Sequence, residues 1–210
     1  MLTIRRLSLG PIQTNCYVVR SKEQALIIDP SGEATRVKQV IEQAGLKVQA
    51  ILLTHAHFDH IMGLEDILRL YPVPVYMHKK EVEWLKEPMF NGSGKYAELP
   101  NISVDVEPET LREGEFSIGD FTMKVFETPG HSPGSLSFYF EEGGFVVSGD
   151  ALFQGSIGRT DLIGGDLRLL LSMIEQKLLT LPEDTIIYSG HGPETSVEDE
   201  MNHNPFLNGF

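Results

Sequence analysis

Five of the chain's seven histidines sit in three short polar segments, each placed directly after an apolar run. The first reads Thr54-His55-Ala56-His57-Phe58-Asp59-His60 and follows Ile51-Leu52-Leu53. Alternate residues of an extended chain share one face, so His55 and His57 point the same way. Asp59 and His60 come where the next helix should begin and can serve a second, neighbouring position. The second segment, Thr128-Pro129-Gly130-His131-Ser132-Pro133-Gly134, uses proline and glycine to set a tight loop that presents His131. Ser189-Gly190-His191-Gly192 follows Ile186-Ile187-Tyr188, and Ser148-Gly149-Asp150 follows Phe145-Val146-Val147. Imidazoles and carboxylates without thiolates suit a catalytic Zn, Fe or Mn centre better than a structural, cysteine-rich one. Seven such groups exceed what a single four-coordinate ion takes. Two divalent ions that share a carboxylate and a water use them naturally, at about 3.5–4 Å separation.

Donors in this pattern need strand ends to hold them, because loops on a rigid scaffold are where chemistry is placed. Strands are expected at residues 2–7, 16–20 and 25–28, separated by turns at Gly10-Pro11 and Ser21-Lys22. Val37, Val40, Ile41 and Ala44 recur at helical spacing, closed by Gly45. A buried strand at 50–53 leads into the first histidine segment. A helix carried by Leu64, Ile67, Leu68 and Tyr71, a strand at 73–77 and a short helix at 81–86 follow. Trp84 and Leu85 are expected to pack that short helix on the core, and the next segment could line a substrate entrance. Residues 88–101 read as a surface loop and the acidic stretch 107–115 as a solvated one. Strands at 121–127, 135–140 and 145–148 precede the clearest helix, Leu167 to Leu178, with Asp166 as its N-cap. Residues 185–188 form the last expected strand. Strands in two clusters with helices interspersed point to two sheets with helices packed outside.

Composition limits what the centre can act on. The chain has 210 residues, 41% of them hydrophobic and 22% charged, the balance of a folded domain with a sizeable core. A formal charge of −13 opposes polyanionic substrates and nucleic acid. No apolar run reaches the length of a membrane span, and no signal peptide is read at the N-terminus. One cysteine, Cys16, excludes an internal disulfide and fits a reducing compartment, so a cytoplasmic location is expected. Cys16 itself reads as a small buried residue, and His78 and His203 as surface or loop residues outside the motifs.

Thr54 to His60 resembles the THxHxDH signature of the metallo-β-lactamase superfamily, and Asp29, His131, Asp150 and His191 fall where that superfamily places its other motifs. More narrowly, Gly158-Arg159-Thr160-Asp161, the run from Gly190 to Thr195 and Asn204-Pro205-Phe206-Leu207 resemble the short glyoxalase II-like hydrolases. The resemblance implies an α/β fold, a four-layer αββα sandwich, as a single domain over residues 1–210 without the C-terminal helical region of full-length glyoxalase II. It implies a first ion on His55, His57 and His131, a second on Asp59, His60 and His191, and Asp150 bridging both. Asp29 would brace the metal loops, Asp59 would orient the attacking water, and Arg159 would contact the substrate.

The implied reaction is hydrolysis of a small acyl-thiol by a metal-bound hydroxide, with two divalent ions, Zn²⁺ before Fe²⁺ or Mn²⁺. A thiol has a reference pKa of about 8.5, so thiolate leaves without a strong general acid. Asp161 stands where many glyoxalases II carry an aromatic residue, and Gly192-Pro193 replaces their Glu-Tyr, which separates this chain from S-lactoylglutathione as a specific substrate. Two other readings use the same residues: a mononuclear iron persulfide dioxygenase and a non-catalytic metal-binding scaffold. A nuclease or a lactamase fits less well.

Overall fold

In a computed structural model, residues 1–95, 97 and 100–207 are described. The chain divides into two compact units, one of Met1–Leu111 with Ser117–Phe121, the other of Arg112–Phe116 with the chain from Thr122 onward.

The first unit is built on a six-stranded sheet in the order of the sequence. β1 (Thr3–Leu9), β2 (Thr14–Ser21) and β3 (Gln24–Ile28) form a meander, each antiparallel to the next. β4 (Lys47–Leu52), β5 (Val75–His78) and β6 (Glu109–Leu111) then add in parallel. Parallel strands need crossovers, and helices supply them: α1 (Ala34–Gln43) before β4, and α2 (Phe58–Ile61) with α3 (Leu64–Leu70) before β5. Val37 and Ile41 of α1 are buried against Val18, Ile27, Ile51 and Leu53, the face that the helical spacing marks out. Gly45 ends the turn after α1 in the left-handed region, at φ 62°. A 3₁₀ helix at Lys79–Leu85 buries Trp84 and Leu85 in the same core, as expected.

The second unit carries most of the other six-stranded sheet, in the order β14-β13-β10-β9-β8-β7, apart from Ser117, Ile118 and Phe121. Its strands are β7 (Gly114–Ile118), β8 (Phe121–Glu127), β9 (Leu136–Phe140), β10 (Phe145–Gly149), β13 (Ile186–Ser189) and β14 (Thr195–Ser196). β11 (Leu152–Phe153) and β12 (Ser156–Ile157) form a separate hairpin. β10 is parallel to β13 and antiparallel to β9. α5 (Leu167–Met173) begins at Asp166, whose carboxylate accepts from the Leu169 amide at 3.0 Å, and passes into a π-helical turn at Ile174–Leu178. Leu170, Ile174 and Leu178 pack with Val146, Leu152, Ile187 and Val197.

Four expectations need correction. Residues 88–101 are not simply surface loop: α4 (Pro88–Asn91) and a 3₁₀ turn at Ser93–Lys95 lie there, with Asn91 and Ser93 buried, although positions 96, 98 and 99 fall outside the described residues. Residues 107–115 enter β6 and β7. Strand pairing needs only backbone groups, so an acidic segment can form a sheet edge with its side chains in water. Residues 185–188 are not the last strand, since β14 and α6 (Val197–His203) follow, a polar helix started by Ser196 accepting from the Asp199 amide at 3.1 Å. His78 is buried at the end of β5 and caps the next turn by accepting from the Lys80 amide at 3.2 Å, while His203 is exposed. Cys16 is buried, and burial, followed by the nearby Asp29 carboxylate, pushes its thiol far above the ordinary range.

Candidate metal centre

The seven donors divide between the units, His55, His57, Asp59 and His60 in the first, His131, Asp150 and His191 in the second. In the first unit all four leave the carboxyl end of β4, which is where open parallel sheets hold ligands. His57 keeps an extended backbone, ψ 147°, and ends the loop, so α2 starts with Phe58 and presents Asp59 and His60 in its only turn. The His55 and His57 rings are 4.8 Å apart and nearly perpendicular, and His55 and His60 are 4.1 Å apart. All four side chains are buried.

Asp29, at the end of the neighbouring β3, organises this group. Its Oδ1 accepts from the Thr54 amide at 2.7 Å, and its Oδ2 accepts from the Thr54 hydroxyl at 2.6 Å and from His60 Nδ1 at 2.9 Å. Because the Thr54 hydroxyl gives its proton to Asp29, it can only accept from His55 Nδ1, 3.1 Å away. One carboxylate therefore sets the tautomer of two imidazoles, directly at His60 and through Thr54 at His55, and turns each Nε2 lone pair inward. Asp29 pays for this place with a left-handed backbone, φ 51°, which aspartate tolerates better than most residues. Two further side chains brace the loop: Thr14 Oγ1 donates to Asp59 Oδ2 at 2.7 Å, and buried Glu81 accepts from the Ala56 amide at 2.7 Å. Neither was singled out from the sequence. Thr14 and Glu81 look like an ordinary strand threonine and helix glutamate, and only their distant partners mark them.

In the second unit β8, β10 and β13 run in one direction, so their ends present His131, Asp150 and His191 at one sheet edge. Asp150 Oδ2 lies 3.5 Å from Nε2 of both His131 and His191. His131 Nδ1 is 2.8 Å from the carbonyl oxygen of Arg159 and donates to it, which again turns Nε2 inward. Gly158 lets that segment approach, since a Cβ there would run into the Asp150 carbonyl oxygen. The Arg159 guanidinium, half exposed, makes two 2.7 Å bonds to Asp161. Buried Glu200, also unforeseen, accepts from Thr195 Oγ1 at 2.6 Å, Asn204 Nδ2 at 2.7 Å and the Gly155 amide at 3.0 Å, and so ties α6 to the β11–β12 hairpin before Gly158.

The donor chemistry fits divalent cations. Imidazoles with Nδ1 engaged from behind carry the Nε2 lone pair that a metal takes. Carboxylate oxygens 3.4 Å from His60 Nε2, at Asp59, and 3.5 Å from His131 and His191, at Asp150, supply the negative charge that balances the ion.

A model of the family described as the metallo-beta-lactamase superfamily matches residues 9–191. The "Probable metallo-hydrolase YqgX" of Bacillus subtilis is 52% identical over 209 residues, which cover 98% of each chain. The "Hydroxyacylglutathione hydrolase GloC" of Haemophilus influenzae is 36% identical over 210 residues, with 99% of each covered. Among solved structures, the BLEG-1 B3 metallo-beta-lactamase superposes with a TM-score of 0.94 at 47% identity, over 99% of this chain and 100% of that one.

Proposed function

As a member of the metallo-beta-lactamase superfamily, with that family's fold of two mixed sheets flanked by helices and a His/Asp donor set of the binuclear type, the chain is a metal-dependent hydrolase, and we propose that it cleaves a small acyl-thiol. On this reading, as membership of the family implies, His55, His57 and His131 would hold one divalent ion, Asp59, His60 and His191 the other, and Asp150 would serve both. Such ions supply a water that is acidic near neutrality and a polarised carbonyl. Asp59 orients that water, Asp29 keeps His55 and His60 in the ligating tautomer, and Arg159 exchanges its Asp161 partner for a substrate carboxylate. A thiolate leaves without a strong acid, so the absence of a dedicated proton donor from this residue set is no handicap. The observation that carries the reading is the set of imidazoles turned inward by Asp29, Thr54 and the Arg159 carbonyl, together with full-length similarity to a hydroxyacylglutathione hydrolase.

Elemental analysis of the purified protein, paired with a thioester panel that includes S-lactoylglutathione, a chromogenic cephalosporin and a persulfide oxygen-uptake assay, tests it. The expected result is about two metal equivalents, zinc foremost, and thioester turnover. Oxygen uptake, or lactam cleavage without thioester cleavage, overturns it. Arg159→Ala should raise KM roughly 10-fold for carboxylate-bearing thioesters, the size of a contact of about 1.4 kcal/mol, and leave neutral ones nearly unchanged.

A further inference from the structure

Residues 84–93 build something the metal chemistry does not use. Trp84, the chain's single tryptophan, has its ring 5.7 Å from that of His57 and 6.3 Å from that of Phe90. The row starts at a buried metal donor and ends at the surface. His57 and Trp84 are 6% and 7% exposed, whereas Phe90 is 42% exposed and its neighbour Met89 56%. Their segment is firmly held. Asn91, fully buried, donates through Nδ2 to the carbonyl oxygens of Trp84 (3.0 Å) and Ile102 (2.9 Å). Its Oδ1 accepts from the Ser93 amide (3.0 Å) and hydroxyl (2.8 Å), and that hydroxyl accepts from the Ile102 amide at 2.9 Å. Burying so many polar groups is tolerable only because each finds a partner, and the result is a rigid turn that displays two large apolar side chains. Single exposed hydrophobics are ordinary, but Phe90, joined through Trp84 to the ring of His57 and flanked in the chain by exposed Met89, offers an apolar ligand a surface that leads to a metal donor.

We propose that Met89, Phe90 and Trp84 form an apolar wall that receives the hydrocarbon part of the acyl group, so that the substrate is a medium-length aliphatic or aromatic acyl-thiol rather than a short hydroxyacyl one. This rests on the hydrolase reading above. A lactoyl group, short and hydroxylated, has little to place against such a wall.

The test uses the metal-loaded protein and two non-hydrolysable thioethers, S-hexyl- and S-ethyl-N-acetylcysteamine, titrated against the fluorescence of Trp84. The hexyl compound is expected to bind at least about 10-fold more tightly and to perturb the fluorescence, because burying each extra methylene favours binding by a few-fold. Met89→Ser combined with Phe90→Ser should bring the ratio close to one with an unchanged melting temperature, while Phe90→Leu keeps most of it. Equal binding of the two thioethers by the wild type, or an undiminished ratio in the double variant, overturns the wall. A hexyl preference without turnover of any thioester keeps the wall and removes the hydrolase reading. Equal hydrolysis of acetyl and hexanoyl thioesters, with equal thioether binding, does the reverse.

Discussion

Asp29 shows how much a residue outside the donor set can decide. Its three accepted hydrogen bonds fix Thr54 and the tautomers of His55 and His60, so which nitrogen of each is left to take a metal is chosen by a carboxylate that need not touch one. Asp29→Asn keeps the size and one acceptor but places an amide N–H₂ against groups that already donate. The expected result is a folded protein whose metal affinity falls roughly 10–100-fold, the usual cost of losing an outer partner, read by competition with a chelator. An unchanged affinity with a lowered melting temperature would assign Asp29 to scaffolding alone. Asp150 stands differently, since one oxygen is 3.5 Å from two imidazole nitrogens. Asp150→Ala should lower metal content at both positions and reduce turnover by more than about 100-fold. A variant that retained two metal equivalents with near-normal turnover would overturn the shared-ligand assignment.

At the scale of elements, each donor stands where a strand ends, and the pairing of strands sets the spacing. Ile28 is paired with Leu52, and the Asp29 amide donates to the Leu52 carbonyl at 3.0 Å, which brings Asp29 beside Thr54. In the second unit the Gly149–Ser189 pairing and the 2.8 Å bond from the Gly190 amide to the Gly149 carbonyl place Asp150 and His191 side by side. The loop after the β11–β12 hairpin presses Gly158 against the Asp150 carbonyl, leaving no room for a methyl group. Gly158→Ala should therefore destabilise the protein by about 1–3 kcal/mol, as overpacking does, and weaken metal binding because the Asp150 backbone must move. Calorimetry with metal analysis checks both. A variant with a lower melting temperature and unaltered metal content would show that the strain relaxes away from Asp150.

For the molecule as a whole, the formal charge of −13 repels an anionic substrate at long range. Screening weakens that repulsion, so kcat/KM for a carboxylate-bearing thioester should rise as salt is raised toward 0.1 M, where the screening length is about 10 Å, while a neutral thioester stays level. A fall with salt would mean that the field at the site is attractive, with Arg159 prevailing over the rest of the surface. Among the described residues no helix is long and apolar enough to cross a membrane. The strand-end positions of the candidate donors were legible in the sequence because they lie within a few residues of a strand signal: histidines and aspartates after Ile51-Leu52-Leu53, Phe145-Val146-Val147 and Ile186-Ile187-Tyr188 are local facts. The same holds for α1, for the Asp166 cap and for the burial of Cys16 in an apolar strand. What escaped depends on partners far along the chain. Glu81 meets Ala56, Thr14 meets Asp59, and Glu200 meets Gly155 across 45 residues, pairings that no periodicity encodes. The turn at Asn91 was hidden for the same reason: its Gly- and Asn-rich composition reads as solvated, and only a fold that supplies the Trp84 and Ile102 carbonyls can bury it. Sequence by itself determined which side chains could ligate and at which strand ends they stand, because both follow from chemistry and local period. Only the tertiary structure decided which nitrogen each histidine turns inward, because that depends on Asp29, Thr54 and the Arg159 carbonyl being brought to it by the fold.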